Sequence, residues 1–191
     1  MNRLRRYFAR RCQLWRQHRL RRDFARLGAG PEAGSLELDG IAPYLSIAGK
    51  VELGEHVVFR CITRRTTVTV SRGALLKVGA DSYINQGANF AVTCGVTLGR
   101  RCVVAENVSI FDTNYHEVDQ GAGVFSSPVV IEENVWIAHG AIILPGTRIG
   151  AHSVVGAGAV VGGEFPTRSL IGGVPARRLR GIECADNFTR A

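Results

Sequence analysis

Six β-branched residues fall six apart without a break: Ile131, Ile137, Ile143, Ile149, Val155 and Val161. An amphipathic α-helix needs apolar residues at steps of three and four, and a β-meander needs alternation broken by hairpin turns; neither accommodates a step of six. A solenoid does. Each hexad supplies one short strand and one corner, and stacked coils share a continuous core. The β-branched residue points inward. The residue after it is often very small, as at Ala138, Gly150, Gly156 and Gly162, where a side chain would clash as the backbone bends. Four places after each inward residue come Val135, Ala141, Thr147, Ser153, Ala159 and Phe165.

The register returns upstream as Val78, Ile84 and Phe90, then, after a step of eight that marks an enlarged corner, as Leu98, Val104 and Ile110. Leu53 and Phe59 read as the start of the first coil, with Val68–Val70 belonging to it less regularly. Between Ile110 and Ile131 the step is 21, which reads as one eighteen-residue coil plus three. The stretch from Phe111 to Gly123 carries no hexad pattern, so an extruded loop is expected over 111–128. In repeat proteins such departures are where function sits. The expected organisation is a basic amphipathic helix (1–27), a linker and lead-in segment (28–50), an all-β parallel solenoid (51–182) and a C-terminal tail (183–191).

Composition agrees with such a core. Hydrophobic residues make up 46% of the 191 and aromatics only 7%, with 23 glycines, so the interior is to be built from Val, Ile, Leu and Ala. No apolar run approaches the ~18–20 residues that span a bilayer. The five cysteines contain no C-x-x-C pair, which argues against a disulfide framework or a zinc site and makes a reducing cytoplasm the simplest expectation. The net charge of +8 is not spread over the chain. Residues 1–27 hold ten arginines against one acid, Asp23, and the rest of the chain is close to neutral.

That terminal segment reads as a helix over 2–27. It lacks Gly and Pro, then stops at Gly28-Ala29-Gly30-Pro31. Leu4, Phe8, Cys12 and Trp15 share one face, and arginines crowd the others. Two readings stay open. One is a helix packed on its own assembly or left as a solvated arm; the other is an interfacial helix at an anionic membrane, which would hold a cytoplasmic protein peripherally at the inner face of the cytoplasmic membrane. Nucleic acid is not expected as a partner, because no aromatic–basic interleaving or known module accompanies the arginines.

From roughly residue 50 to 182 the chain resembles the hexapeptide-repeat acyltransferases, in particular the sugar O-acetyltransferases related to maltose and galactoside acetyltransferase and those of polysaccharide biosynthesis. The resemblance rests on Asn85, Asp112-Thr113-Asn114-Tyr115-His116, Asn134-Val135-Trp136-Ile137-Ala138, Pro145-Gly146-Thr147-Arg148-Ile149-Gly150, Val155-Gly156-Ala157-Gly158-Ala159-Val160-Val161 and Gly172-Gly173-Val174-Pro175-Ala176-Arg177. It implies a left-handed parallel β-helix, a homotrimer with sites in clefts between neighbouring subunits, and acetyl-CoA as donor. The left hand comes from the resemblance alone, since crossover connections are otherwise right-handed.

Acetyl transfer to a hydroxyl needs a base near neutral pH, and an imidazole is suited to it. His116, in the extruded loop, matches the family's catalytic histidine. Asn85 matches a residue that contacts the acceptor or acetyl region, and Asp112 is assigned to substrate with it. Asp112 and Glu117 flank His116, and either would orient its ring or both would solvate the loop. Trp136, Ala138, His139, Ala157, Gly162, Gly163, Arg177 and Arg180 fall at positions the family uses along acetyl-CoA. Where the family commonly has Thr-Lys this chain has Gly162-Gly163, and Arg168 is the expected replacement for the lost charge. His152, three past Ile149, reads as solvated. No metal is expected, because three imidazoles do not share a phase. The implied activity is O-acetylation of a sugar or glycan hydroxyl. N-acetylation of an aminosugar or antibiotic, or a non-catalytic scaffold, are the alternatives.

Overall fold

The computed structural model describes residues 11–12, 14–16, 18–20, 22–24 and 36–190. Six coils follow one another. Coil 1 contains β1 (Glu37–Gly40), β2 (Tyr44–Ile47) and β3 (Lys50–Leu53); coil 2 contains β4 (Val58–Cys61), β5 (Thr67–Val70) and β6 (Leu75–Val78). Coil 3 contains β7 (Tyr83–Asn85), β8 (Asn89–Val92) and β9 (Gly95–Leu98); coil 4 contains β10 (Val103–Val104), β11 (Ser109–Phe111) and β12 (Val129–Ile131). Coil 5 contains β13 (Trp136–Ile137), β14 (Ile142–Ile143) and β15 (Arg148–Ile149), and coil 6 contains β16 (Val154–Val155), β17 (Val160–Val161) and β18 (Glu164–Phe165). A last hairpin, β19 (Ser169–Gly173) and β20 (Ala176–Gly181), follows.

Every third strand joins the same sheet, so the coil has three faces. The first is β1-β4-β7-β10-β13-β16-β19-β20, the second β2-β5-β8-β11-β14-β17, the third β3-β6-β9-β12-β15-β18. All pairings are parallel except β19 with β20, which closes the first face with an antiparallel strand. Register stacks like residues into inward columns. On the first face the column runs Leu38, Phe59, Ile84, Val104, Ile137, Val155, Ile171. The six residues of the unbroken hexad series are all fully buried.

The corners explain the remaining sequence pattern. At the third corner, between the third face and the first face of the next coil, His56, Asp81, Arg101, Asn134, His152 and Arg168 all have positive φ. That backbone is costly for a residue with a Cβ. Here it is offset by a ladder between coils: the amides of Asp81, Arg101, Asn134, His152 and Arg168 donate to Glu55, Ala80, Arg100, Glu133 and Ala151 oxygens at 2.8–3.0 Å. The same corner admits no side chain at Gly99, where an added Cβ would lie 2.6 Å from the Glu133 nitrogen.

Two expectations change. Residues 36–50, read as a linker and lead-in, build most of coil 1: β1 and β2 pair in register with β4 and β5. The step from Ile110 to Ile131 is also different in kind. β11 and β12 are consecutive strands on adjacent faces, so the interval is a single corner enlarged by an insertion over residues 112–128 rather than a coil plus three.

The described residues between 11 and 24 are helical. Leu20 and Phe24 are buried and Phe24 packs on Phe59 of coil 2 with ring centroids 5.8 Å apart, which docks the helix on the first coils. The docking residues are thus not on the face expected from the sequence: Cys12 and Trp15 are exposed, while Leu4 and Phe8 lie outside the described residues. At the third corner His152 is 6% exposed, not solvated. Asn134 Nδ2 meets its Nδ1 at 2.8 Å, and the tail packs over the pair, Arg190 donating to the Asn134 and His152 carbonyls at 2.8 and 3.0 Å.

Among the five cysteines, Cys102 is the most perturbed. Burial pushes its thiol up from an ordinary value of 9.0 to about 11, and its Sγ lies 3.1 Å from the Glu132 carbonyl it donates to. Because the folded pKa is raised, the stabilisation from keeping this thiol neutral is complete below pH 9 and is lost as pH rises through 11. Urea unfolding measured from pH 8 to pH 11 is expected to show falling stability, with a shallower fall in Cys102→Ala. An equal slope in both proteins would contradict the assignment.

Candidate functional site

The insertion leaves the second corner, between the second and third faces, and is built as a staple. Asp112 is fully buried at its base. Its two carboxylate oxygens accept from the amides of Thr93 at 2.8 and 3.0 Å, Cys94 at 2.9 Å and Gly95 at 2.7 Å, and from the Thr93 hydroxyl at 2.8 Å. The returning limb closes on the outgoing one. Ser127 N donates to Asp112 O, Asn114 N to Phe125 O, and Ser126 Oγ to Thr113 Oγ1. Ser127 O then receives the Gly146 amide, so the loop hands the corner ladder on to the next coil. At the tip, Glu117 Oε2 accepts from Gly121 and Gly123 amides at 2.9 and 3.2 Å.

His116 is exposed on this loop, and among the described residues none hydrogen-bonds its imidazole. Both flanking carboxylates are engaged by backbone amides, Asp112 by those of residues 93–95 in the preceding coil and Glu117 by those at the loop's own tip. Asp112 is therefore the anchor of the histidine's platform, not an acceptor-binding group or a partner of the ring, and Glu117 ties off the tip. Beside them, burial first and the Asp112 charge second push the Tyr115 phenol above its ordinary pKa, which keeps it a neutral donor. The loop also exposes apolar surface: Tyr115, Val118, Val124 and Phe125 are each at least half exposed.

A second group of polar residues lines the first corner, between the first and second faces. Asn85 ends β7, with its Oδ1 accepting the Gln86 amide at 2.9 Å. Gln86 Nε2 donates to Glu106 Oε1 at 3.1 Å, and Glu106 Oε2 lies 4.0 Å from His139 Nδ1. The Gly158 amide donates to the His139 carbonyl, carrying the column to Ala157 and coil 6. Arg177 is the second residue of β20, beyond the turn at the same end of the first face.

Gln86 and Glu106 went unnoticed in the sequence, although a signal was there. Gln86, Glu106, His139 and Ala157 each stand two places after an inward residue of the first face (Ile84, Val104, Ile137, Val155). The same phase puts them on one edge.

The remaining expected donor-binding residues divide among the edges. Ala138 is nearly buried in the first corner, and Trp136 lies on the outside of the first face, 42% exposed. Gly162 and Gly163 are exposed at the second corner, below the loop. Arg180 is exposed in β20. Arg168 belongs elsewhere: it sits at the third corner, ion-paired with Asp186 and raised above its usual pKa by Cys184 and then Asp186. It does not replace the charge absent at Gly162-Gly163.

A three-faced parallel coil of hexads that extrudes a histidine-bearing loop is a hexapeptide-repeat β-helix. Comparison with known proteins agrees. Residues 128–163 match the description "Bacterial transferase hexapeptide (six repeats)" and residues 76–112 "Hexapeptide repeat of succinyl-transferase". Over these stretches the chain is similar to hexapeptide-repeat transferases. It is 34% identical over 122 residues to the galactoside O-acetyltransferase of Escherichia coli (strain K12), covering 62% of this chain and 60% of that protein. It is 36% identical over 110 residues to the putative lipopolysaccharide biosynthesis O-acetyl transferase WbbJ of the same strain, covering 51% of this chain and 56% of the relative. The match spans less than two thirds of either relative. Among solved structures, the hexapeptide-repeat containing acetyltransferase VCA0836 from Vibrio cholerae superposes with a TM-score of 0.53 at 31% identity, over 57% of this chain and 64% of that one. VCA0836 has also been solved with acetyl coenzyme A.

Proposed function

We propose that this chain is an acetyl-CoA-dependent O-acetyltransferase of a sugar or glycan hydroxyl, working in surface-polysaccharide synthesis, with each active site shared by neighbouring copies in a homotrimer. One observation carries the reading. His116 projects from the second corner, whereas Asn85, Gln86, Glu106 and His139 line the first. The second face lies between them; its strands β8 and β11 are four and three residues long, or about 10–13 Å. One copy facing its neighbour closes that gap, and the exposed apolar side chains of the loop supply the contact. The similarity to the E. coli O-acetyltransferases and to VCA0836 supports the chemistry.

In this reading the acceptor hydroxyl gives its proton to the His116 imidazole as its oxygen attacks the thioester carbonyl. The exposed corner amide of His139 receives the developing oxyanion. The C–S bond then breaks, the imidazolium returns the proton to the departing thiolate, and an acetyl ester and free CoA leave. No enzyme nucleophile takes part. Gly162 and Gly163, without side chains at the exposed second corner, leave room for the pantetheine arm, and Arg177 and Arg180 suit its phosphates.

The test is to incubate the protein with acetyl-CoA and, separately, mono- and oligosaccharides with free hydroxyls and their amino counterparts, following thiol release. Hydroxyl-dependent release is expected. Release with amines alone would make the enzyme an N-acetyltransferase, and release with neither would leave a scaffold.

A further inference from the structure

The N-terminal helix presents two faces with opposite fates. Leu20 and Phe24 are buried, Phe24 against Phe59 of coil 2, and Arg16 donates to the Gly40 carbonyl of coil 1 at 3.4 Å, so this helix is docked on the body. At about 100° per residue, Arg11, Trp15, His18 and Arg22 project from the side away from Leu20 and Phe24, and Leu14 lies on the flank of that outward side. All five are exposed, Leu14 by 56% and Trp15 by 61%. The Arg19 guanidinium lies 5.6 Å from the centre of the Trp15 ring, beside the same surface.

We propose that this outward face binds the surface of an anionic lipid bilayer, with Trp15 and Leu14 seated among the headgroups and the surrounding arginines over lipid phosphates. The charge distribution selects that occupant. Residues 1–27 hold ten arginines against one acid, while residues 28–191 hold fourteen Lys and Arg against fifteen acids. An anionic surface therefore attracts the helix end of the solenoid and little else. A second copy of the helix would set arginines against arginines. A nucleic acid would satisfy the charge and leave Leu14 with nothing to bury. A bilayer offers both negative charge and an apolar layer at one depth, which is what a docked helix with large apolar residues among cations can use. No helix among the described residues is long and apolar enough to cross a membrane, so the contact is interfacial. This docking stands apart from the transfer reaction; it places the first coils toward the lipid.

The full-length chain is to be sedimented with vesicles of phosphatidylcholine alone and with vesicles of phosphatidylcholine mixed with phosphatidylglycerol, and titrated with a DNA duplex in the same buffer. Binding to the mixed vesicles, weakened by salt, and none to the neutral ones is expected. The double variant Leu14→Ser/Trp15→Ser is to bind the mixed vesicles about tenfold more weakly, with its thermal midpoint unchanged because both side chains are exposed. Arg11→Gln/Arg22→Gln is to weaken binding roughly thirtyfold. Three results would overturn the proposal: vesicle binding unaltered by Leu14→Ser/Trp15→Ser, tighter binding to the duplex than to the mixed vesicles, or self-association abolished by that double variant without any vesicle binding.

Discussion

His116→Ala is expected to lower kcat/KM for acetyl transfer by about 10²- to 10⁴-fold, the span that a positioned general base contributes. The KM for acetyl-CoA should move little if, as proposed, the imidazole acts on the acceptor proton and the donor is held by other residues. The thermal midpoint should stay put, since the side chain is exposed and its loop is held from Asp112 and Glu117 instead. The stronger form of the experiment mixes two dead proteins. A chain carrying His116→Ala keeps an intact first corner, and one carrying Asn85→Ala keeps an intact loop. If each site takes the loop from one copy and the first corner from its neighbour, co-assembled chains regain activity that neither has alone. Inert mixtures that are shown to co-assemble would restrict the site to a single chain. A His116→Ala enzyme with full activity would remove the base altogether.

The second large effect belongs to Asp112. Its carboxylate, fully buried, is the acceptor for three backbone amides and the Thr93 hydroxyl. Asp112→Ala strands those donors in a closed corner. At ~1–3 kcal/mol for each buried group left without a partner, and with some relaxation, the expected loss is about 3–5 kcal/mol. For a chain of this size that lowers the thermal midpoint by roughly 10 °C. Asp112→Asn should recover little, because its amide nitrogen would face donors where an acceptor is needed. Hydrogen exchange adds the readout that separates anchoring from a substrate role: amides at 93–95 and across 112–128 should lose protection together in the absence of any sugar. A variant that melts as the parent does, yet has a raised KM for the acceptor, would return Asp112 to the substrate.

Much of the fold was legible in the chain because a six-residue step is a strong local constraint. Ile131 through Val161 are inward and buried as the spacing requires, and small residues stand where the corners turn. Coil 1 was harder to read. Its residues in the hexad columns, Leu38, Leu45 and Leu53, are separated by seven and then eight, and the polar residues between them hide the register. The step from Ile110 to Ile131 is ambiguous for a related reason. A spacing of 21 fits a coil with three extra residues as well as it fits one enlarged corner, and only the pairing of β12 with β9 distinguishes the two.

The site shows the same division. The sequence picked out His116 because a polar, patternless stretch interrupts the hexads, and the structure leaves it exposed on that loop. It could not say what Asp112 and Glu117 do. Neighbours along the chain point their oxygens at amides eighteen residues earlier or at the loop's own tip. Nor could it say that Arg168 stands at a different edge from Gly163, since five residues carry a solenoid chain from one corner to the next. Inward or outward is settled by local spacing, because a side chain in a strand has only two directions to point. Which edge a residue occupies, and what it meets there, is settled by coil closure: partners lie about a coil apart in sequence, and every enlarged corner shifts the count.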